Sequence, residues 1–199
     1  MSYLYNKSNT FLSQVGEHTE TLLQLCLEGN QRAQLEIYNR YYKAMYNTAL
    51  RIVKNSAEAE DVMQEAFLNA FTKLHTFKGE VAFGAWLKRI VINKSLFHYR
   101  KQQKKNEVSL NDTLYKVGDY DVPEATHDET ERLAQKVLET MTLLKDNYRI
   151  SLTLHLIEGY DYEEICSVMN ISYANCRTTI SRAKESLRKK LMPVKYEKG

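Results

Sequence analysis

Arg177, Thr178, Ser181 and Arg182 fall at i, i+1, i+4 and i+5, so an α-helix would gather them on one face. Two guanidinium forks and two hydroxyls do not make a nucleophile and its base; their chemistry is recognition. Arginine grips guanine edges or phosphates through paired donors, and hydroxyls suit bases or phosphates. Across the same helix Cys176, Ile180, Ala183, Leu187 and Leu191 recur at helical spacing and must pack on whatever precedes them. Arg188, Lys189 and Lys190 continue the helix with charges suited to backbone phosphate. Taken singly, such a helix is most often just a solvated basic face; what stands before it changes the balance.

A second constellation lies upstream. Lys88, Arg89, Lys94, Arg100, Lys101, Lys104 and Lys105 occur without an acid among residues 88–105, interleaved with Phe97, His98 and Tyr99. Cations for phosphates and aromatic faces for exposed bases are what single-stranded nucleic acid requires. A third set, Asp61, Gln64, Glu65, Leu68 and Thr72, shares a helical face on which Leu68 is the one apolar member. An exposed leucine ringed by acids and an amide suits a protein partner with a basic rim, although a stray surface leucine is commoner. Nothing points to catalysis. The acids Glu58, Glu60, Asp61 and Glu65 have no histidine three residues on, as a di-iron bundle would need. Cys26, Cys166 and Cys176 form no Cys-x-x-Cys pair and read as reduced core cysteines of a cytosolic protein, a thiol sensor at Cys166 or Cys176 being the less favoured alternative. No catalytic group, metal site or cofactor is expected.

The elements that must position these residues are helical. The 199 residues include only two prolines and seven glycines, and no segment alternates as strands do. The expected fold is all-α: two small helical domains joined by a flexible acidic linker, with net charge +3 distributed unevenly. Residues 1–20 lack a charged start and a long apolar core, so they read as a tail and not a signal peptide, and no run approaches transmembrane length. The first block spans 21–105. Leu22 to Leu27 form an apolar helix ending at Gly29, and Asn30 caps a tyrosine-rich helix carrying Leu35, Ile37, Tyr38, Met45 and Leu50. Ser56 is the expected N-cap of the next, with Met63, Phe67, Ala70, Phe71 and Leu74 inward. Phe77, Phe83 and Trp86 cluster about a loop punctuated by Gly79 and Gly84. From Trp86 to Phe97 the helix is apolar nearly all round, which makes Asn93 anomalous. It either bonds a neighbouring backbone group or lines a pocket for a polar ligand such as a nucleobase.

Residues 106–130 read as the linker: from 106 to 131 there are eight acids against Lys116 alone. The second block, 131–192, begins with a stripe of Leu133, Val137, Leu138, Met141 and Leu144, followed by Ile150 to Ile157 and a stop at Gly159. Asp161 then caps a short helix, Glu164 completing a capping box. Asn170 tolerates the left-handed conformation that ends it, and Ser172 caps the basic helix. Helix, tight turn, helix is the outline of a helix-turn-helix, and residues 193–199 are a tail.

With these parts in this order, the chain resembles the extracytoplasmic-function group of sigma factors, in the sigma-70 family of bacterial transcription initiation factors. Asp61-Val-Met-Gln64-Glu65-Ala-Phe67 is similar to the family's helix for the β′ clamp of RNA polymerase. Phe77-Lys78-Gly79-Glu80 with Phe83, Trp86-Leu87, Arg89-Ile90 and Asn93 is similar to its segment that melts and reads the −10 element. Tyr162-Glu163-Glu164-Ile165 with Arg177 and Ser181-Arg182-Ala183 is similar to its −35-reading helix-turn-helix. The resemblance implies that Asp61, Gln64, Glu65 and Leu68 contact the clamp, and that Lys78, Trp86, Arg89, Asn93, Lys94 and Arg100 serve the −10 element, Asn93 holding a flipped base. It implies that Arg177, Thr178, Ser181 and Arg182 enter the −35 major groove, and that the linker threads toward the polymerase's RNA path. The implied partners are core RNA polymerase, through its β′ clamp and β subunit, promoter DNA and an anti-sigma factor, with no membrane insertion. The chain departs from the pattern at Asn170, where Gly is frequent, at Ala174-Asn175-Cys176, at Thr178-Thr179 and at Leu144-Lys145, where Leu-Pro is usual. From the residues alone, a stand-alone helix-turn-helix regulator with an N-terminal sensing domain is the alternative.

Overall fold

The computed structural model describes residues 19–108 and 129–192, which are helical with no strand among them. The tails and the centre of the acidic linker lie outside the described residues. The helices are α1 (19–27), α2 (Gln31–Val53), α3 (Ser56–Thr72), α4 (Phe83–Val108), α5 (Glu129–Thr142), α6 (Asp146–Leu152), α7 (Tyr162–Met169) and α8 (Tyr173–Leu191). They fall into two compact units. One holds the described residues up to Ala49 together with Ala57–Ser95; the other holds Leu50–Ser56 together with the described residues from Leu96 on. The division therefore cuts α2 near its C-terminal end and α4 at its middle.

In the first unit, Gly29 at φ 82° ends α1, and the side chain of Asn30 accepts from the backbone of Arg32 and Ala33 to start α2. Ile37, Met45 and Ala49 of α2, Met63, Ala66 and Phe67 of α3, and Leu87, Val91 and Ile92 of α4 are all buried and make up the apolar core. One expectation fails by a small margin: Ser56 is the first residue of α3 and not its cap. Leu35 of α2 is exposed. α3 stops at Thr72, and Leu74 is buried from a 3₁₀ turn, Leu74–Thr76. The expected aromatic cluster is present: Phe77, Phe83 and Trp86 lie with ring centroids 5.3–5.6 Å apart. Tyr41 adds an edge contact to Phe83 at 5.4 Å. Gly84 is fixed by this packing, because a Cβ there would stand 2.8 Å from Tyr41 Cε1.

In the second unit the core is Met141, Leu144, Ile150, Leu152 and Leu154 against Ile165, Ile180, Ala183 and Leu187. Leu133 and Leu156 are exposed, so the stripe read along α5 becomes core only near its C-terminal end. α6 relaxes into a π-helical turn over Thr153–Ile157 before Gly159 turns the chain at φ 79°. Arg149, 2% exposed, is the buried cation among the described residues. Its guanidinium donates to the carbonyls of Arg51 and Ile52 and to Asp146 Oδ1 at 3.0 Å. Carbonyls at the end of a helix lack intrahelical donors, and a guanidinium supplies them.

Candidate nucleic-acid interface

The helix-turn-helix is built by three local devices. Asp161 Oδ1 accepts from Glu164 N at 2.8 Å while Glu164 Oε2 accepts from Asp161 N at 3.1 Å, a reciprocal box that starts α7. Asn170 closes α7 at φ 54°, ψ 53°, where a short amide is tolerated better than a branched side chain. Ser172 Oγ then accepts from Asn175 N at 3.3 Å and starts α8. Ile165, Cys176, Ile180 and Ala183 are fully buried between the helices, and this fixes the rotation of α8. Arg177, Thr178, Ser181 and Arg182 are thereby turned to solvent together.

Two details refine that face. Thr178 Oγ1 donates its proton to Ala174 O at 2.8 Å, which leaves the hydroxyl as an acceptor toward a ligand. Glu185, at the end of the face, is held by Lys189 at 2.8 Å, and this hydrogen bond and charge keep its carboxyl below the usual range. Tyr173 was passed over in the sequence, yet it is exposed at the first turn of α8, its ring 6.0 Å from that of Tyr162. Its position directly after the Ser172 cap was the available signal, because the first residues of such a helix lie nearest the bases.

On α3, Asp61, Gln64 and Glu65 are exposed and Leu68 is 70% exposed. Gln64 Nε2 approaches Glu60 Oε1 at 3.4 Å. Glu65 Oε2 pairs with Lys94 Nζ at 3.0 Å, so the acidic face of α3 adjoins the basic face of α4. Arg89 and Asn93, one turn apart on α4, are both exposed, and Lys78 is exposed in the preceding loop. Trp86 is half-buried in the aromatic cluster. The expectation of a helix apolar all round is corrected here. Leu87, Val91, Ile92 and Leu96 are buried, whereas Phe97 is 67% exposed and Ile90 half-buried, so α4 has an outer face and Asn93 stands on it. The polar group inside is Ser95, whose hydroxyl donates to Val91 O at 2.8 Å.

The cationic end of α4 is arranged otherwise than its sequence suggested. Arg100 belongs to the second unit, whereas Arg89 and Lys94 belong to the first, and its guanidinium donates to Val168 O of α7 at 2.5 Å. Tyr99 is turned to Asp146 Oδ2 at 3.4 Å and not offered as a stacking face. Burial first, and the Asp146 charge second, push its phenol up to about 12.

Residues 37–105 match the model of Sigma-70 region 2, and residues 134–187 match that of Sigma-70, region 4. Along almost its whole length the chain is similar to RNA polymerase sigma-H factor of Pseudomonas aeruginosa, 31% identical over 188 residues, covering 91% of this chain and 97% of the relative. The chain belongs to the sigma-70 family, in its extracytoplasmic-function group. ECF RNA polymerase sigma-E factors of Haemophilus influenzae and Escherichia coli are each 30% identical, covering 88% of this chain and 96% and 95% of theirs. The fold agrees with that of a Bartonella quintana sigma factor solved with the anti-sigma factor NepR. It has a TM-score of 0.58 at 20% identity, covering 78% of this chain and 94% of that one. As a sigma factor, the chain directs RNA polymerase to promoters. Its relatives are initiation factors and not enzymes. Among the described residues no helix is long and apolar enough to cross a membrane, and no cluster of His, Cys, Asp and Glu suits a metal.

Proposed function

We propose that three exposed faces divide the work of this sigma factor. Asp61, Gln64, Glu65 and Leu68 on α3 engage the β′ clamp of core RNA polymerase, with Leu68 as the apolar anchor inside a polar rim. Arg89, Asn93 and Lys94 on α4, with Lys78 and Trp86 beside them, take the non-template strand of the −10 element. There Asn93 offers the amide that pairs with a base edge and the cations meet phosphates. Arg177, Thr178, Ser181 and Arg182 on α8 enter the major groove of the −35 element. Residues 21–105 and 131–192 then act as the two promoter-binding domains. Arg100 joins the −10 set by leaving Val168. The −35 part is carried by one observation: a doubly capped helix-turn-helix buries one side of α8 and leaves both arginines and both hydroxyls outward.

In this reading the chain performs no chemistry; the polymerase forms the phosphodiester bonds, and both act in the cytoplasm where the genome is. An anti-sigma factor that covers these faces would hold the protein inactive; the Bartonella quintana sigma factor was solved in complex with such a factor, NepR. The experiment is transcription by core polymerase reconstituted with the full chain. Changing Arg177 and Arg182 to Ala should abolish use of a −35-dependent promoter while polymerase binding persists, and Leu68→Ala should weaken polymerase binding itself. Wild-type initiation by both variants would reject the assignment.

A further inference from the structure

Cys166 on α7 and Cys176 on α8 are ten residues apart in sequence and meet across the turn of the helix-turn-helix. Cys176 is fully buried, with its Sγ 3.7 Å from Tyr162 O. Tyr162 lies one helical turn before Cys166, and side chains on a helix lean back toward its N-terminus, so Cys166 leans over the carbonyl that Cys176 touches. Cys166 is the neighbouring thiol that acts on Cys176, and the shared carbonyl of Tyr162 places them together. Cys166 is partly open to solvent, and all three cysteines of the chain are free. Cys26, the third, lies on α1 in the other unit.

We propose that Cys166 and Cys176 form a reversible disulfide when the protein meets a peroxide, and that this bond disables −35 recognition. The accessible Cys166 thiolate attacks one peroxide oxygen and the O–O bond breaks. A sulfenic acid forms, and the departing hydroxide takes a proton to become water. Cys176 sulfur then attacks Cys166 sulfur, loses its proton, and a second water leaves. Two thiols have given up two electrons and two protons, and the peroxide has been reduced to two waters. Burial and the neighbouring thiol push the Cys176 thiol up to about 11. Cys176 is therefore the later, resolving partner and not the first to react.

The consequence for DNA follows from where the bond would sit. A disulfide holds its sulfurs about 2.05 Å apart, closer than two thiols in contact, so closure draws α7 and α8 together across a core that is already filled. Arg177 directly follows Cys176, and the −35 face is displaced against its support. This functional half rests on the promoter reading above; the chemical half does not.

The test uses the full chain treated with hydrogen peroxide, read by peptide mapping and by transcription with core polymerase. The expected result is a cross-linked peptide pair holding Cys166 and Cys176, lighter by about 2 Da for two lost hydrogens. Transcription from a −35-dependent promoter should fall on the order of tenfold, the loss of one good base contact, and dithiothreitol should restore both. Cys166→Ser should abolish cross-link and inhibition together. Cys176→Ala, checked for folding by circular dichroism, should do the same, and Cys26→Ser should change neither. Absence of the cross-link overturns the proposal, as does a cross-link without a fall in transcription, or inhibition that persists in Cys166→Ser. Were the reduced protein itself inactive on the promoter, the promoter reading would fail while the cross-link still stood.

Discussion

Asp161→Ala removes the acceptor of a 2.8 Å bond from Glu164 N and leaves only the return bond of the box, from the backbone N–H of residue 161 to the Glu164 carboxylate. α7 has eight residues, well short of the ~12–15 at which an isolated helix becomes even marginal in water. It persists through its cap and through Ile165. Losing an N-cap side chain costs about 1 kcal/mol, within a range of ~0.5–2. For a helical domain of this size that lowers Tm by roughly 4–8 °C. The measurement is thermal unfolding of the full chain by circular dichroism, beside Asp161→Ser, which keeps an acceptor, and Glu164→Ala. Asp161→Ser should melt within a few degrees of the parent. The double variant should be less destabilised than the two single variants summed, because one reciprocal pair is removed twice. Equal melting of Asp161→Ala and the parent, or of Asp161→Ser and Asp161→Ala, would refute the reasoning.

Ile180→Ala opens a cavity where the residue is fully buried between α7 and α8; a loss of ~2–5 kcal/mol is expected from denaturant unfolding. Tyr99→Phe probes pH dependence. The folded phenol is pushed from its ordinary 10.0 up to about 12, so the folded state keeps its proton longer than the unfolded chain. Its contribution is full below pH 10 and is lost as pH rises toward 12, and Tyr99→Phe should flatten the fall of Tm across that window. Lys145 precedes α6 at φ −57°, an angle that suits proline. Lys145→Pro should raise stability by about 0.4–1 kcal/mol through the unfolded chain, read as a higher denaturation midpoint.

What was legible in the sequence was local. The capping box at Asp161 and Glu164, the left-handed Asn170, the Ser172 cap and the inward face of α8 depend on neighbours within four residues, and all stand as expected. So does the outward turn of Leu68 among acids. What was not legible depends on partners far along the chain. Tyr99 and Arg100 read as a stacking face and a phosphate contact, and nothing near them in the sequence announces the bonds they make to Asp146 and Val168, both tens of residues away. The burial of Arg149 follows from carbonyls near the end of α2 that no pattern around residue 149 announces. Asn93 was misjudged because composition was mistaken for a buried circumference: Ile90 and Phe97 are apolar without being inside. The π-helical turn at Thr153–Ile157 had no local marker beyond the glycine that follows it.

The most direct test of the account is a cycle between protein and promoter. Core polymerase is reconstituted with the parent chain or with Arg182→Ala, and run-off transcription is measured on a cognate promoter and on the same promoter with its −35 element scrambled. If α8 reads that element, scrambling should cost the parent on the order of tenfold or more and cost Arg182→Ala much less, because the contact is already gone. Independent effects, with scrambling equally damaging to both proteins, would contradict the claim that this face of α8 selects the promoter.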